Sequence, residues 1–329
     1  GGLVDACCIC REPLGAPIYE SSRPTSITSL CQELEGYTRV WHCAGCGHTQ
    51  TEPLPALEKF YAEEYQMLTA SEEEDQLYVV RECKKVFRTE HQVATLLNKL
   101  VVPEDAQVLD YGCAKAATLK ALCGQRADLT PHVFDVSERY RSFWNVFVPE
   151  AQQAIDQVPD AWAERFDLVT SFFALEHVAD PRAMMAAVYQ LLHERAWFYF
   201  LVPNLFANTA DLVVADHVSH FSKASLTRLL GDAGFTACAI DGEVHNSAWV
   251  VTAQKGKPSS TAFPTESLVG PLTEMADYWR AFGKRVRDFE TAHEGASAIY
   301  GSGFYGTFIS TCLEQPERVR GFLDQNPHR

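Results

Sequence analysis

The stretch from Val108 to Leu119 (VLDYGCAKAATL) constrains the fold of this chain more than any other part. A short run of strand-forming residues ends in Asp110, and a turn of small residues then leads into an apolar helical pattern. Such a strand–turn–helix unit brings the backbone close to a nucleoside at the edge of a parallel sheet. A second strand pattern ends in a carboxylate at Asp135, where an acid can bind a ribose diol. The two features together predict a Rossmann-like nucleoside site.

Strand and helix patterns alternate through the middle of the chain, which predicts a parallel sheet covered on both faces. The predicted strands are Gln107–Asp110, His132–Asp135, Phe166–Ser171, Trp197–Val202, Thr236–Ile240 and Trp249–Ala253. The predicted helices are Leu57–Leu100, Ala116–Cys123, Glu138–Asn145, Pro181–His193 and Lys223–Asp232. No helix separates the last two strands, so we expect them to be antiparallel.

Two Cys-x-x-Cys pairs lie near the N-terminus, Cys7 with Cys10 and Cys43 with Cys46. Each short turn presents two thiolates from one side, which suits a closed, structural tetrahedral zinc site. The pairs predict a zinc ribbon with a long intervening loop. A redox pair and unrelated buried thiols are the alternative interpretations. The residues that could replace an assigned ligand are Cys8, Cys31, His42 and His48.

Composition excludes several classes of function. A net charge of -15 argues against a nucleic-acid partner, because nothing would offset phosphate repulsion. No apolar run reaches the roughly 18 residues of a membrane span. Eleven cysteines without an export signal indicate reduced thiols and a cytoplasmic protein.

A second βα unit is predicted near the C-terminus, after a Pro-, Ser- and Thr-rich linker (Lys255–Pro271) and a long helix (Leu272–His293). A Gly-x-Gly-x-x-Gly stretch at Gly301–Gly306 turns a strand into a helix, and the next strand, Arg318–Asp324, ends in a carboxylate. Two strands and one helix cannot close a core, so we expect further domains in a longer chain. The predicted domains are 1–56 (zinc ribbon), 57–255 (core with helical lead-in), 256–295 (linker and long helix) and 296–329 (partial nucleotide-binding-like unit).

The core motifs resemble the class I S-adenosylmethionine (SAM)-dependent methyltransferases. That family's first motif is Asp-x-Gly-x-Gly-x-Gly, and this chain keeps Asp110 and Gly112 but has Ala114 and Ala116 at the other glycine positions. The resemblance implies an α/β, Rossmann-like fold and SAM as cofactor. The cofactor-binding residues that it implies are Asp110, Gly112, Cys113 and Ala114 in the loop and Asp135 at the ribose.

Two further residues are candidates for the cofactor pocket. Asp156 follows the third strand region, where it could meet the adenine edge or lie on the surface. Phe173 follows the strand predicted to end at Ser171 and could line the pocket.

The whole domain order resembles the three-domain, zinc-containing sugar C-methyltransferases of nucleotide-deoxysugar pathways. In that group an acid–histidine pair on a late core loop lies near the reacting carbon, and Asp216 and His217 occupy that place here. Histidine titrates near neutral pH, so His217 is predicted as the base. The alternatives are His220, the Glu176–His177 pair at the carboxyl edge of the sheet, and purely structural roles.

Three tyrosines of the lead-in, Tyr61, Tyr65 and Tyr78, would lie against the mouth of the sheet. Tyr65 and Tyr78 are candidates to reach the acceptor, with packing as the alternative role. Three functions remain open at this point. They are methyl transfer to a sugar or nucleotide-sugar, methyl transfer to another small or lipid-like acceptor, and a non-catalytic module in a larger protein.

Overall fold

The computed structural model describes residues 4–61, 77–81, 84–259 and 263–325, with the backbone alone at 77–81 and 84–85. The strands are β1 (Tyr19–Glu20), β2 (Thr25–Ile27), β3 (Glu33–Glu35), β4 (Arg39–His42), β5 (Thr49–Thr51), β6 (Leu77–Arg81), β7 (Lys84–Phe87), β8 (Gln107–Tyr111), β9 (Thr130–Asp135), β10 (Gln153–Ile155), β11 (Phe166–Phe172), β12 (Leu192–Pro203), β13 (Ser219–His220), β14 (Phe235–Asp241), β15 (Ala248–Lys255), β16 (Ser297–Tyr300) and β17 (Val319–Leu323). The α-helices are α1 (Arg88–Lys99), α2 (Ala117–Gln125), α3 (Arg141–Trp144), α4 (Pro181–Leu191), α5 (Lys223–Ala233), α6 (Val269–Ala292) and α7 (Phe304–Cys312). Within this described part, no helix combines the length and hydropathy needed to cross a membrane.

The central sheet has seven strands in the order β10-β9-β8-β11-β12-β15-β14. The first five are parallel, and β15 is antiparallel to both of its neighbours. The Rossmann-like fold implied by the resemblance to class I methyltransferases is therefore confirmed, including the antiparallel end. The strand order reverses between β8 and β11, and ligands of such sheets bind outside the carboxyl ends of the strands at that point.

Alternating side chains of the central strands feed two apolar layers, because successive residues of a strand point to opposite faces. Val108 packs in a layer with Leu96 of α1 and Leu119 of α2. Its neighbour Leu109 packs in the other layer with residues of α4 and α5, including Met185. Both faces of the sheet are thus covered, which leaves the loops at its carboxyl edge as the accessible part.

The N-terminal ribbon is joined to the core by a shared sheet. Strands β1, β4 and β5 form an antiparallel sheet whose fourth strand, β13, comes from the core. Ser219 pairs with Gln50 and His220 with Thr49. The loop that carries the predicted catalytic histidines therefore completes the ribbon.

The predicted lead-in helix, Leu57–Leu100, is wrong at Leu77–Arg81 and Lys84–Phe87. The backbone forms an antiparallel hairpin of β6 and β7, and a helix resumes only at Arg88. The segment is rich in β-branched and aromatic residues (LYVV, KVF), which favour a strand over a helix. Four successive acidic residues at 72–75, within the predicted helix, lie outside the described residues.

The C-terminal unit has the predicted form. Strand β16 leads through Gly301 into α7, and β17 returns parallel to β16. Trp279 of α6 is fully buried against Phe308 of α7, with a ring-centroid distance of 4.7 Å. The carboxylate of Asp324 accepts hydrogen bonds from the backbone and the hydroxyl of Ser302, at 2.8 and 2.6 Å.

Candidate active site

The loop after β8 keeps the backbone of a glycine-rich cofactor loop although two of its residues are alanines. Gly112, Ala114 and Ala116 all have positive φ, at 69°, 46° and 53°. An added Cβ at Gly112 would lie 2.9 Å from the Cβ of Ala174, in the loop after β11. Alanine avoids the left-handed region because its Cβ approaches the backbone there, so the loop stores strain. Strain of this kind concentrates at binding sites.

The carboxylate of Asp135 holds this loop in place. One oxygen accepts from the backbone N–H of Ala114 at 2.9 Å, and the other accepts from the N–H of Ser137 at 3.0 Å. Burial raises the pKa of Asp135, and the two loop N–H groups oppose that rise. Each oxygen retains a second lone pair, so Asp135 can still accept hydrogen bonds from a ribose diol.

Asp110 and Cys113 lie deeper under the same loop. Asp110 is buried and accepts a hydrogen bond from the hydroxyl of Thr170 at 3.2 Å, and burial raises the pKa of Asp110 to about 7. Burial also raises the pKa of the Cys113 thiol, as do the nearby carboxylates of Asp110 and Asp135. The thiol is therefore neutral and acts as an apolar wall of the loop.

The structure brings the two remaining cofactor candidates to the same edge. Asp156 is exposed, with a φ of 64°, and its N–H donates to the carbonyl of Asp135 at 3.2 Å. Phe173 follows β11 with a φ of 54°, and the guanidinium of Arg88 lies 4.4 Å from its ring centre. Strand ends β8, β9, β10 and β11 thus each present a predicted residue to one edge.

Asp211 organises the two histidines of the late core loop, and sequence reasoning missed it. Its oxygens bind Nδ1 of His217 at 2.5 Å and Nδ1 of His220 at 2.7 Å. The predicted partner, Asp216, instead accepts from the N–H and hydroxyl of Ser29, at 2.6 and 2.5 Å. The hydrogen-bond partner of His217 is therefore Asp211 and not Asp216, although the charge of Asp216 also raises the pKa of His217. Asp211 lies in a short 3-10 helix six positions before His217, a spacing that no motif marks.

His220 has no access to a ligand. Its Nε2 lies 2.8 Å from the hydroxyl of Thr51, and the residue is only 1% exposed. Both ring Nδ1 atoms reach Asp211, but His220 then faces the ribbon sheet whereas His217 faces His177. The two histidines differ in what their other nitrogen meets.

His177 lies beside His217, with a ring-centroid distance of 4.8 Å. Its Nδ1 is 2.9 Å from the carbonyl oxygen of Asp216 and 3.1 Å from the hydroxyl of Tyr61. A carbonyl only accepts, so Nδ1 carries the proton and Nε2 keeps its lone pair. Glu176 Oε1 is 3.9 Å from that Nε2, and Glu176 Oε2 is buried with no hydrogen-bond partner among the described residues.

Near neutral pH, His217 carries a positive charge and His177 is neutral. Burial opposes a charge on His217, but the Asp211 carboxylate outweighs it and raises the pKa of His217 to about 9. Burial and the neighbouring His217 lower the pKa of His177 to about 4. Burial raises the pKa of Glu176 to about 7. The cluster thus combines a fixed cation, a neutral imidazole and a carboxyl group that titrates near neutrality.

The same groups could also hold a divalent cation. Glu176, His177 and His217 each offer one ligand atom, and these atoms lie within 4.8 Å of one another. A proton and a metal ion compete for a histidine nitrogen, so the cationic state of His217 and a metal-bound state exclude each other. Of the tyrosine candidates, Tyr65 and the side chain of Tyr78 lie outside the described residues.

The four N-terminal cysteines converge on one point. The Sγ atoms of Cys7 and Cys46 are 3.5 Å apart, those of Cys10 and Cys43 are 3.4 Å apart, and all four lie within 4.8 Å of one another. Tetrahedral zinc with bonds of about 2.3 Å holds sulfurs about 3.8 Å apart, so the cluster fits the ion.

The replacement ligands considered for this cluster bind elsewhere or stand outside it. Cys8 Sγ and His48 Nε2 are 3.9 and 3.2 Å from the Ser219 hydroxyl, and His42 Nδ1 is 3.2 Å from the Thr49 hydroxyl. Cys31 does not belong to the cluster.

Comparison with known proteins agrees with this geometry. Residues 86–240 match the family model described as a methyltransferase domain. The chain contains a methyltransferase domain. That domain indicates SAM-dependent methyl transfer as the activity of this chain. A ubiquinone biosynthesis O-methyltransferase of Thiobacillus denitrificans is 26% identical over 161 residues, which cover 43% of this chain and 68% of that protein.

Two solved structures illustrate the range of similar proteins. One is the complex of the Haloferax volcanii Trm112 methyltransferase activator with a putative methyltransferase (TM-score 0.44, 16% identity, 51% of this chain and 91% of that one). The other is a putative SAM-dependent methyltransferase from Listeria monocytogenes (TM-score 0.42, 14% identity, 52% of this chain and 99% of that one).

Proposed function

We propose that this methyltransferase acts on a nucleotide-bound ketosugar and places the methyl group on a carbon beside the ketone. The observation that carries the proposal is the pair of unlike histidines, a neutral His177 next to a cationic His217. Bound SAM would supply the methyl group through its sulfonium. Carbon methylation needs a base for the C–H proton and a positive group for the enolate oxygen, whereas a hydroxyl acceptor needs less help.

The roles follow from the charges. Nε2 of His177 takes the proton from the carbon next to the ketone, and the Nδ1–H bond to the Asp216 carbonyl keeps that ring oriented. His217, paired with Asp211, stabilises the enolate oxygen. The electron pair left on that carbon would accept the methyl group that bound SAM supplies, which would leave the cofactor as a neutral thioether. His177 then releases its proton to solvent. The base predicted from the sequence, His217, thus becomes the electrostatic partner.

The order of the zinc knuckles, the core, the long helix and the C-terminal βα unit supports a sugar acceptor. We also propose that the four-cysteine cluster binds structural zinc and leaves no open ligand position. The second candidate function is O-methylation of a lipid-like phenol. The name of the Thiobacillus relative favours it, and a cationic His217 would stabilise a phenolate equally well.

Product analysis in D2O tests the proposal. With SAM and a nucleotide-bound ketosugar, NMR should show a carbon-linked methyl group and deuterium exchange at that carbon. His177→Ala should abolish the exchange, and His217→Ala should lower turnover by about 10²-fold. His193→Ala is the matched control, because His193 also pairs with an aspartate but lies at the start of β12, away from the carboxyl edge. An oxygen-linked methyl group, or full activity in His177→Ala, would contradict the proposal.

A metal assay separates the two states of the cluster. If turnover survives chelation and the protein holds about one zinc per chain, at the cysteines, the result agrees with the acid–base roles of His177 and His217. A second metal equivalent that is present in wild type and lost in His177→Ala would instead show that Glu176, His177 and His217 bind a cation.

A further inference from the structure

A second cavity, distinct from the cofactor edge, lies between the N-terminal ribbon and α6. It has a volume of about 330 Å³, within the usual range for small-molecule pockets. Its floor is apolar, formed by residues such as Ile27, Val213 and Trp279. Its rim carries four basic side chains, Arg23, Arg280, Lys284 and Arg287.

Two of these cations have no carboxylate partner within the part of the chain that the structure describes. Arg280 pairs with Asp277 and Lys284 with Asp288 on the exposed side of α6. Among the ion pairs of the described residues, neither Arg23 nor Arg287 takes part in one, although the chain as a whole carries a net charge of -15. In so acidic a protein, two guanidinium groups left without a carboxylate and facing one cavity indicate an external anion.

The two arginines converge from opposite walls. Arg23 lies on the ribbon, just before β2, and Arg287 lies on α6. The positive charges of both lower the pKa of the Cys312 thiol, although burial dominates and raises it to about 11. Arg287 Nη1 also donates to the hydroxyl of Ser22 at 2.7 Å, which fixes the guanidinium at the rim.

A glycine in the middle of α6 leaves room for this arrangement. Gly283 is buried, and an added Cβ would lie 3.2 Å from Arg287 Nη1 and 3.4 Å from Cys312 Sγ. Glycine inside a helix costs about 1 kcal/mol relative to alanine. Gly283 therefore lowers the stability of α6 but leaves space for the guanidinium group of Arg287. Hydroxyl groups of Ser22 and Thr25 line the same rim and can donate to an anion.

We propose that this cavity binds the phosphate groups of a small molecule, with Arg23 and Arg287 as the paired ligands. Planar guanidinium groups bind phosphate oxygens in a bidentate manner, which suits two arginines on facing walls. The phosphate could belong to the nucleotide of the acceptor, in which case the inference rests on the proposed function, or to a separate phosphate compound. Both sources share this chemistry.

Calorimetry on the full chain with inorganic pyrophosphate and with thymidine diphosphate tests the inference. Both ligands should bind, and Arg23→Ala and Arg287→Ala should each weaken binding by about tenfold or more. If thymidine diphosphate binds clearly more tightly than pyrophosphate, the site recognises a nucleotide. If the two affinities are equal, the site recognises the phosphate groups alone. Arg285→Ala is the matched control, because it removes the same charge from the same helix outside this cavity.

Gly283→Ala separates binding from folding. It should keep or raise the free energy of unfolding, since alanine favours the helix, yet weaken pyrophosphate binding by displacing Arg287. Absence of binding to wild type, or equal binding by all variants, would overturn the inference. These titrations need neither SAM nor acceptor, so their failure leaves methyl transfer untested in either direction and does not count against it.

Discussion

At the scale of single residues, Asp211 sets the charge of the active-site cluster. It is 3% exposed and accepts hydrogen bonds from two imidazoles. Burial alone would raise the pKa of Asp211, but the charge of His217 and the two hydrogen bonds outweigh burial and hold this pKa well below its usual range. The same interaction raises the pKa of His217. A change at Asp211 should therefore act through His217.

Asp211→Asn should move the alkaline limb of the rate profile to lower pH. In wild type, His217 keeps its proton until the pH passes about 9, so both activity and the stabilisation from the ion pair are lost as pH rises through that value. The asparagine removes the charge that raises this pKa. The measurement is turnover against pH. Asp167→Asn, which breaks the His193 pair on the opposite edge, should leave the profile unchanged, and an unmoved limb in Asp211→Asn would refute the assigned charge.

The alanines of the cofactor loop permit a second test. Ala114→Gly and Ala116→Gly should each raise the free energy of unfolding by up to about 1 kcal/mol, because glycine relieves the positive φ. Ala121→Gly in α2 should lower it by about 1 kcal/mol, since that residue is helical. Chemical denaturation measures all three. Loss of stability in the loop variants equal to that of Ala121→Gly would show that the loop is not strained.

The sequence was sufficient to predict that Asp110, Gly112 and Asp135 lie at or just after the ends of strands, because hydrophobic patterns locate those strands. It was not sufficient for Asp211, which reaches His217 through an irregular turn. The charge states of His177 and His217 also depend on burial and on neighbours distant in sequence, which no local pattern records.

At the scale of elements, the short strand β13 couples the cysteine cluster to the active site. It adds to the ribbon sheet through Ser219 and His220, two and three residues after His217. The cysteine cluster lies far in sequence from the core motifs, and from that distance alone its loss would affect folding more than activity. The shared sheet makes the two effects inseparable, because loss of the ribbon removes the support of the histidine loop.

Cys43→Ser should therefore lower turnover along with folded yield, and should expose the loop at 209–222 to proteolysis. Structural zinc contributes about 10 to 16 kcal/mol in small modules, so loss of one ligand is severe. Zinc content, melting temperature and limited proteolysis measure the outcome. Cys238→Ser, at an exposed thiol on β14, is the control. Normal specific activity in soluble, zinc-free Cys43→Ser would contradict the coupling.

Most core elements were predictable because strand and helix patterns alternate there. The hairpin of β6 and β7 was missed because its strands are short and no glycine or proline within 57–100 separates them from the helical patterns on either side. The pairing of β13 with β5 joins residues about 170 positions apart, and such contacts depend on tertiary packing alone.

At the scale of the whole molecule, ribbon, core and long helix meet around the segments 25–29 and 209–217. Ile27 and Val213 line the arginine cavity, while Ser29 and Asp211 bind groups of the active site. The cofactor edge lies on the sheet itself. Methyl transfer at this site therefore requires first that the carboxyl edge of the sheet binds an adenosyl ligand.

Calorimetric titration with S-adenosylhomocysteine tests this central claim most directly. Wild type should bind, and Asp135→Ala should weaken binding by about 1.5 to 3 kcal/mol, the usual loss for hydrogen bonds to a charged group. His177→Ala should bind as wild type does, because its role concerns the acceptor. No binding by wild type, or equal binding by Asp135→Ala, would contradict the account.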